Sequence, residues 1–193
     1  GTDAIRLADA SGVQELAPSA RMTTSYSLFI AGHLDAALSM MREIGSLSAH
    51  DSECGRRTFG FALGLWSSSM GGWVLSLLGD LDAARKCLAG VDPIARERDE
   101  REILCWNNNS WALLERLSGA VVDGDTRAHE AVAIAESLGS PFSLAQTLNG
   151  LAIAQAARGN WDDAIAASER TSPVRWMVSM IWLPLWGSIA PGP

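Results

Sequence analysis

Basic side chains are scarce in this chain of 193 residues: fifteen Lys and Arg stand against twenty-two Asp and Glu, and the only lysine is Lys86. The formal net charge of -7 removes the electrostatic footprint of a nucleic-acid binder, and an anionic membrane surface repels such a chain. Neither nucleic acid nor membrane is therefore expected as a partner. The three cysteines, Cys54, Cys87 and Cys105, are odd in number and widely spaced, which argues against a disulfide framework and for a reducing, cytoplasmic setting. No charged-then-apolar leader or spanning run stands out. The nearest approach, Trp176 to Ala190, is too short and is interrupted by Pro184. No Gly-rich run leads to Gly-Lys-Ser or Gly-Lys-Thr, which excludes a phosphate-binding loop of that type. His33, His50 and His129 lie far apart, and His50 with Cys54 lacks the second ligand pair that zinc needs. No metal and no cofactor are expected. No stretch alternates with period two, so no sheet is expected either.

What the chain does have is a phrase that returns. Gly32-His33-Leu34-Asp35-Ala36-Ala37 reappears as Gly79-Asp80-Leu81-Asp82-Ala83-Ala84 and again as Gly159-Asn160-Trp161-Asp162-Asp163-Ala164. Each copy ends a long helix-compatible apolar stretch and opens a shorter one, which is the signature of the turn in a helical hairpin. Small residues recur at matching heights: Ser25, Gly72 and Ala152 seven before the turn glycines, and Ala37, Ala84 and Ala164 five after them. Small residues there let two antiparallel helices approach closely. A degenerate copy is expected midway between Gly79 and Gly159, and Gly119 is there, with Ala112 seven before it. The reading places a short insertion, Val121 to Asp125, ahead of a resumed helix containing Ala128. The segment Ala4 to Gly12 echoes Ala131 to Gly139, so the chain is expected to begin inside a repeat and to be a piece of a longer protein.

The fold class that follows is all-α: antiparallel helical hairpins stacked as a tetratricopeptide-like right-handed superhelix. Helices are expected at about 3–11, 14–31, 34–46, 56–78, 81–90, 96–118, 125–138, 142–158 and 161–170. Gly12 and Gly139 suit the left-handed residue that closes a helix, Pro141 suits a first turn, and Asp80 and Asn160 suit N-caps. The dense charges from Arg96 to Glu102 read as a solvated first turn and a half of helix. The repeat domain is taken as 1–170. Residues 171–193 form a tail with Trp176, Trp182 and Trp186 and almost no charge, read as a cap on the last hairpin, as a surface for homo-oligomer formation, or as sequence foreign to the repeats.

Gly139 to Ala145, running on through Leu148, Leu151 and Ala152 to Arg158-Gly159-Asn160-Trp161-Asp162-Asp163-Ala164-Ile165, resembles the tetratricopeptide-type repeats of large bacterial signalling proteins. Those proteins couple such repeats to an ATPase and to a class III nucleotidyl cyclase or a DNA-binding domain. The resemblance covers about 4–170 and is tight over 125–168. It implies a non-catalytic regulatory segment that binds a protein or peptide.

In tetratricopeptide-like arrays the first helix of each hairpin lines the concave groove, at positions six, ten and thirteen before each turn glycine. That register selects Ser19 and Tyr26; Trp66, Ser69 and Trp73; Trp106, Asn109 and Leu113; and Gln146, Asn149 and Ile153. Trp and Tyr combine large contact area with a polar handle, and Asn or Gln can hold a peptide backbone. The same tryptophans also suit a core between hairpins. One enzyme-like string, Ser67-Ser68-Ser69-Met70-Gly71, resembles a nucleophile elbow whose first glycine has become serine, which leaves a serine hydrolase using Ser69, with His129 and Asp123 or Asp125, as the alternative function. A small-molecule sensor built on the tryptophan-lined groove is a third.

Overall fold

A computed structural model describes residues 2–171, whose regular secondary structure is all helical, with no strand among them. The helices are α1 (Thr2–Ser11), α2 (Leu16–Ile30), α3 (Leu34–Ser48), α4 (Arg56–Phe59), α5 (Leu63–Leu78), α6 (Leu81–Glu97), α7 (Arg101–Leu117), α8 (Val121–Leu138), α9 (Pro141–Ala157) and α10 (Trp161–Arg170). The tail from residue 172 onward, with its cap and self-association readings, lies outside the described residues.

Four hairpins follow one another: α2 with α3, α5 with α6, α7 with α8, and α9 with α10. Each turns at a glycine with positive φ, namely Gly32, Gly79, Gly119 and Gly159. That conformation strains any residue with a Cβ, which is why the repeated phrase begins with glycine. Within the α5–α6 hairpin a Cβ at Gly72 would stand 2.4 Å from Leu88 Cδ2, so the small residue before the turn sets the distance between the helices. The first helices of successive hairpins, α2, α5, α7 and α9, also pack directly on one another, while the second helices reach their neighbours through the first ones. The first helices therefore form one continuous row.

The core is apolar at one end and mixed at the middle. Met41, Ile44, Leu63, Val74, Leu88, Val91, Ile103 and Leu114 are at most 2% exposed. Burial on that scale contributes roughly 1.5–3 kcal/mol for each large side chain. A second, smaller cluster is built on Ala128, Leu148, Leu151 and Ala154, and the run Asn107-Asn108-Asn109 on α7 is buried as well. These polar groups need partners at such depth. Asn107 Nδ2 donates to the Leu88 carbonyl at 3.1 Å and to Asp92 Oδ1 at 2.8 Å, and Arg127 donates to Asn108 Oδ1 at 2.9 Å.

Four expectations need correction. The single helix at 56–78 is two, because Gly60 takes φ +84° and Ala62 is extended; the buried Glu100 carboxylate accepts the Ala62 N–H at 3.1 Å and holds the break open. Helix α6 does not stop at 90 but runs through Pro93 to Glu97, losing only the bond that Pro93 could have donated. The charge-dense Arg96–Glu102 segment is the junction between α6 and α7, with Asp99 at φ 51°, and not a continuous first turn of helix. Finally, Val121 to Asp125 is no insertion: α8 begins at Val121. Gly124, five after Gly119, fills the small-residue position that the other units give to alanine, and its missing Cβ would lie 3.1 Å from the Ala112 carbonyl.

The capping expectations divide. Asp80 accepts from the Ala83 N–H at 3.2 Å, and Ser140 accepts from Ser143 with Pro141 in the first turn. Asn160 makes no cap bond, since its Nδ2 donates to Gln155 Oε1 at 2.8 Å.

Candidate binding groove

The row of first helices carries an aromatic-walled cavity of about 310 Å³. Helical spacing places its lining: Met22 and Tyr26 on α2, Trp66, Met70 and Trp73 on α5, Glu102, Trp106, Asn109 and Ser110 on α7, and Phe142 and Gln146 on α9. These are steps of three, four and seven, which share one helix face. Phe59 and Phe61, at the α4–α5 break, complete it. Phe61 meets Trp106 edge-to-face, with ring centroids 5.1 Å apart and planes at 84°. That is a favoured aromatic geometry and holds the Trp106 ring in place.

A chain of hydroxyls supports one wall. The Trp106 indole N–H donates to Ser143 Oγ at 3.2 Å, Ser140 donates to the same oxygen at 3.1 Å, and Ser143 in turn donates to Glu102 Oε1 at 3.3 Å. Ser143 is fully buried. One hydroxyl thus accepts twice and donates once, which ties Glu102 to Trp106 across two helices. Glu102 enters no ion pair among the described residues, and it is the one charged side chain among those that line the cavity.

Other polar atoms here are less satisfied. The Tyr26 hydroxyl is buried without a hydrogen bond of ordinary geometry. Burial pushes its phenol above the ordinary pKa, and the nearby Gln146 amide works in the opposite direction. Asn109 Oδ1 is buried and unpartnered, lodged against Gly150 of α9, where a Cβ would stand only 2.0 Å away. Behind the groove, Cys105 Sγ–H reaches the Ala131 carbonyl at 3.5 Å, and burial, with the Glu102 charge adding, pushes its thiol up to about 12.

The structure brings together six of the residues selected by register: Tyr26, Trp66, Trp73, Trp106, Asn109 and Gln146. Two are elsewhere. Ser69 lies inside α5, 1% exposed, with its hydroxyl unpartnered, and Asn149 is exposed and outside the cavity. Ser69 therefore has neither the strand-to-helix turn nor the bonded base that the hydrolase reading assigns to it. His129 sits on α8 with Nε2 3.1 Å from Gln155 Nε2 and 3.6 Å from Asp125 Oδ1. Glu102 and Phe142 were missed, although each lies seventeen before a turn glycine, one further helical step along the register already in use. Phe59 and Phe61 carried no such signal, because they sit on a break that the pattern did not show.

No protein-family model matches the chain, and no curated protein matches it. Among solved structures the chain resembles BtubC (BKLC) from P. vanneervenii, with a TM-score of 0.61 at 16% identity, over 93% of this chain and 68% of that one. At that identity the likeness speaks for the helical fold alone. No described helix is long and apolar enough to cross a membrane, and no three His, Cys, Asp or Glu among the described residues gather as metal ligands.

Proposed function

We propose that this chain is a protein-interaction module: a tetratricopeptide-like right-handed superhelix whose row of first helices binds an extended segment of a partner protein. The observation that carries the reading is the convergence of side chains from four first helices on one aromatic cavity. Aromatic walls supply contact area at low conformational cost, and Asn109 and Gln146 supply amide groups suited to a peptide backbone. The repeat resemblance over 125–168 supports a place in a bacterial cytoplasmic regulator, with the partner a neighbouring domain or another protein.

A peptide-display selection from a random library tests this. Peptides enriched on the wild-type chain should lose about tenfold or more in affinity on Trp73→Ala and on Gln146→Ala. They should be indifferent to Arg96→Ala, which lies outside the groove. Enrichment that ignores the first two substitutions, or no enrichment at all, would overturn the reading.

A further inference from the structure

Helix α7 carries two pairs of an acid and a tryptophan at the same four-residue spacing, Glu102 with Trp106 and Trp111 with Glu115. The second pair is filled from within the chain. Arg85 and Arg127 place their guanidinium carbons 5.5 and 5.2 Å from the Trp111 ring centroid, and Arg85 also pairs with Glu115 at 3.2 Å. Guanidinium over indole with a carboxylate beside it is a favourable arrangement, since the ring face and the carboxylate are both negative. The first pair has the same ingredients on the cavity side of the helix. There Glu102 Oε1 takes a single hydroxyl and Oε2 takes no hydrogen bond among the described residues.

The rest of the cavity points the same way. Its walls are aromatic, its one charge is negative, and the buried Tyr26 hydroxyl, without a hydrogen bond of ordinary geometry, has an oxygen lone pair to offer a donor. A peptide carboxylate would meet Glu102 and find no cation among the lining residues, whereas a cation would meet the Glu102 carboxylate and the aromatic ring faces. Resting on the reading of the groove as a peptide site, we propose that its ligand inserts an arginine side chain, stacked on Trp106 and paired with Glu102. Arginine fits better than lysine because a planar guanidinium can lie against an indole and still present a fork of N–H donors to a carboxylate. The surplus of negative charge on the whole chain, -7, favours the encounter with a basic segment.

The experiment compares two fluorescein-labelled nine-residue peptide pools, randomised in Ala, Gly and Ser around a central arginine in one and a central citrulline in the other. Citrulline has the same shape without the charge. Binding is read by anisotropy on the full chain, and the Trp106 indole N–H is followed by NMR. The arginine pool should bind at least about tenfold more tightly, shift the Trp106 signal, and lose that advantage on Glu102→Gln and with added salt. Equal binding of the two pools overturns the arginine assignment without any variant having to fold, while peptides that still shift Trp106 leave the groove itself standing. Peptides from the display selection that contact no residue of the cavity would overturn both.

Discussion

Asn109 rests against Gly150. Its Oδ1 occupies space that a Cβ on Gly150 would approach to 2.0 Å, and the side chain is 4% exposed, so it has no free direction except toward the cavity. Gly150→Ala should therefore turn Asn109 into the groove and reduce peptide affinity by about tenfold. Global stability should change little, because alanine gains about 1 kcal/mol of helix propensity over glycine in mid-helix and offsets part of the crowding. The double variant Gly150→Ala with Asn109→Ala frees the space again and should restore most of the volume. Affinities of the four proteins in the cycle measure this coupling, and additive losses would show that the two residues act separately.

Two glycines of the α5–α6 hairpin should respond to the same substitution with opposite signs. At Gly72 a Cβ would meet Leu88 Cδ2 at 2.4 Å and Cγ at 2.6 Å, and Leu88 is fully buried. Gly72→Ala should lower stability by about 2 kcal/mol, the crowding outweighing the propensity gain. Gly90, inside α6, has nothing within 4 Å of its would-be Cβ. Gly90→Ala should raise stability by about 0.5–1 kcal/mol. Urea midpoints at unchanged slope report both, and a stabilising Gly72→Ala would mean that the helices can separate without loss.

That contrast also marks what was legible in the sequence. The turn glycines and the small residues around them could be read because positive φ and close helix approach leave few alternatives, and they place all four hairpins. The breaks were not legible where tertiary partners decide them. Nothing local says that Glu100 reaches back to the Ala62 N–H, so the chain from Arg56 to Leu78 looks continuous. Helix α6 runs past the expected end at 90 and through Pro93 with Val91 and Ala95 buried, packing that the local sequence does not show. The groove was legible as far as the register extended. Trp66, Trp73 and Trp106 follow from periodicity, whereas the choice between core and cavity depends on neighbouring helices.

The asparagine run gives a further test. Asn107 is fully buried and donates both to the Leu88 carbonyl and to Asp92 Oδ1. Asp92 in turn pairs with Arg127 at 3.4 Å, and Arg127 holds Asn108 and lies over Trp111. Asn107→Ala removes the side-chain donor that α7 gives to the Leu88 carbonyl and to Asp92 Oδ1 of α6. A loss of about 2 kcal/mol is expected. Because Arg127 is then held less firmly, the Trp111 indole should also shift in the NMR spectrum, and an unchanged Trp111 signal would separate Asn107 from the stacked arginines.

Cys105 predicts the direction in which stability should change with pH. Burial holds its thiol neutral in the folded chain up to about 12, against an ordinary value of 9.0 once unfolded. Below pH 9 both states keep the proton and the thiol adds no pH dependence. Between about 9 and 12 the unfolded chain releases it while the folded chain does not, so the unfolded state gains and stability falls as pH rises, by up to about 1.4 kcal/mol for each pH unit. Cys54 and Cys87 are shifted the same way by burial, so the wild-type slope alone does not isolate Cys105. Urea denaturation of the wild type and of Cys105→Ala at pH 8, 9 and 10 does. The variant loses the weak bond to the Ala131 carbonyl equally at every pH, so only the difference in slope reports the thiol. A wild type that weakens more steeply above pH 9 than the variant is the expected result, and parallel curves would place the Cys105 proton in solvent reach.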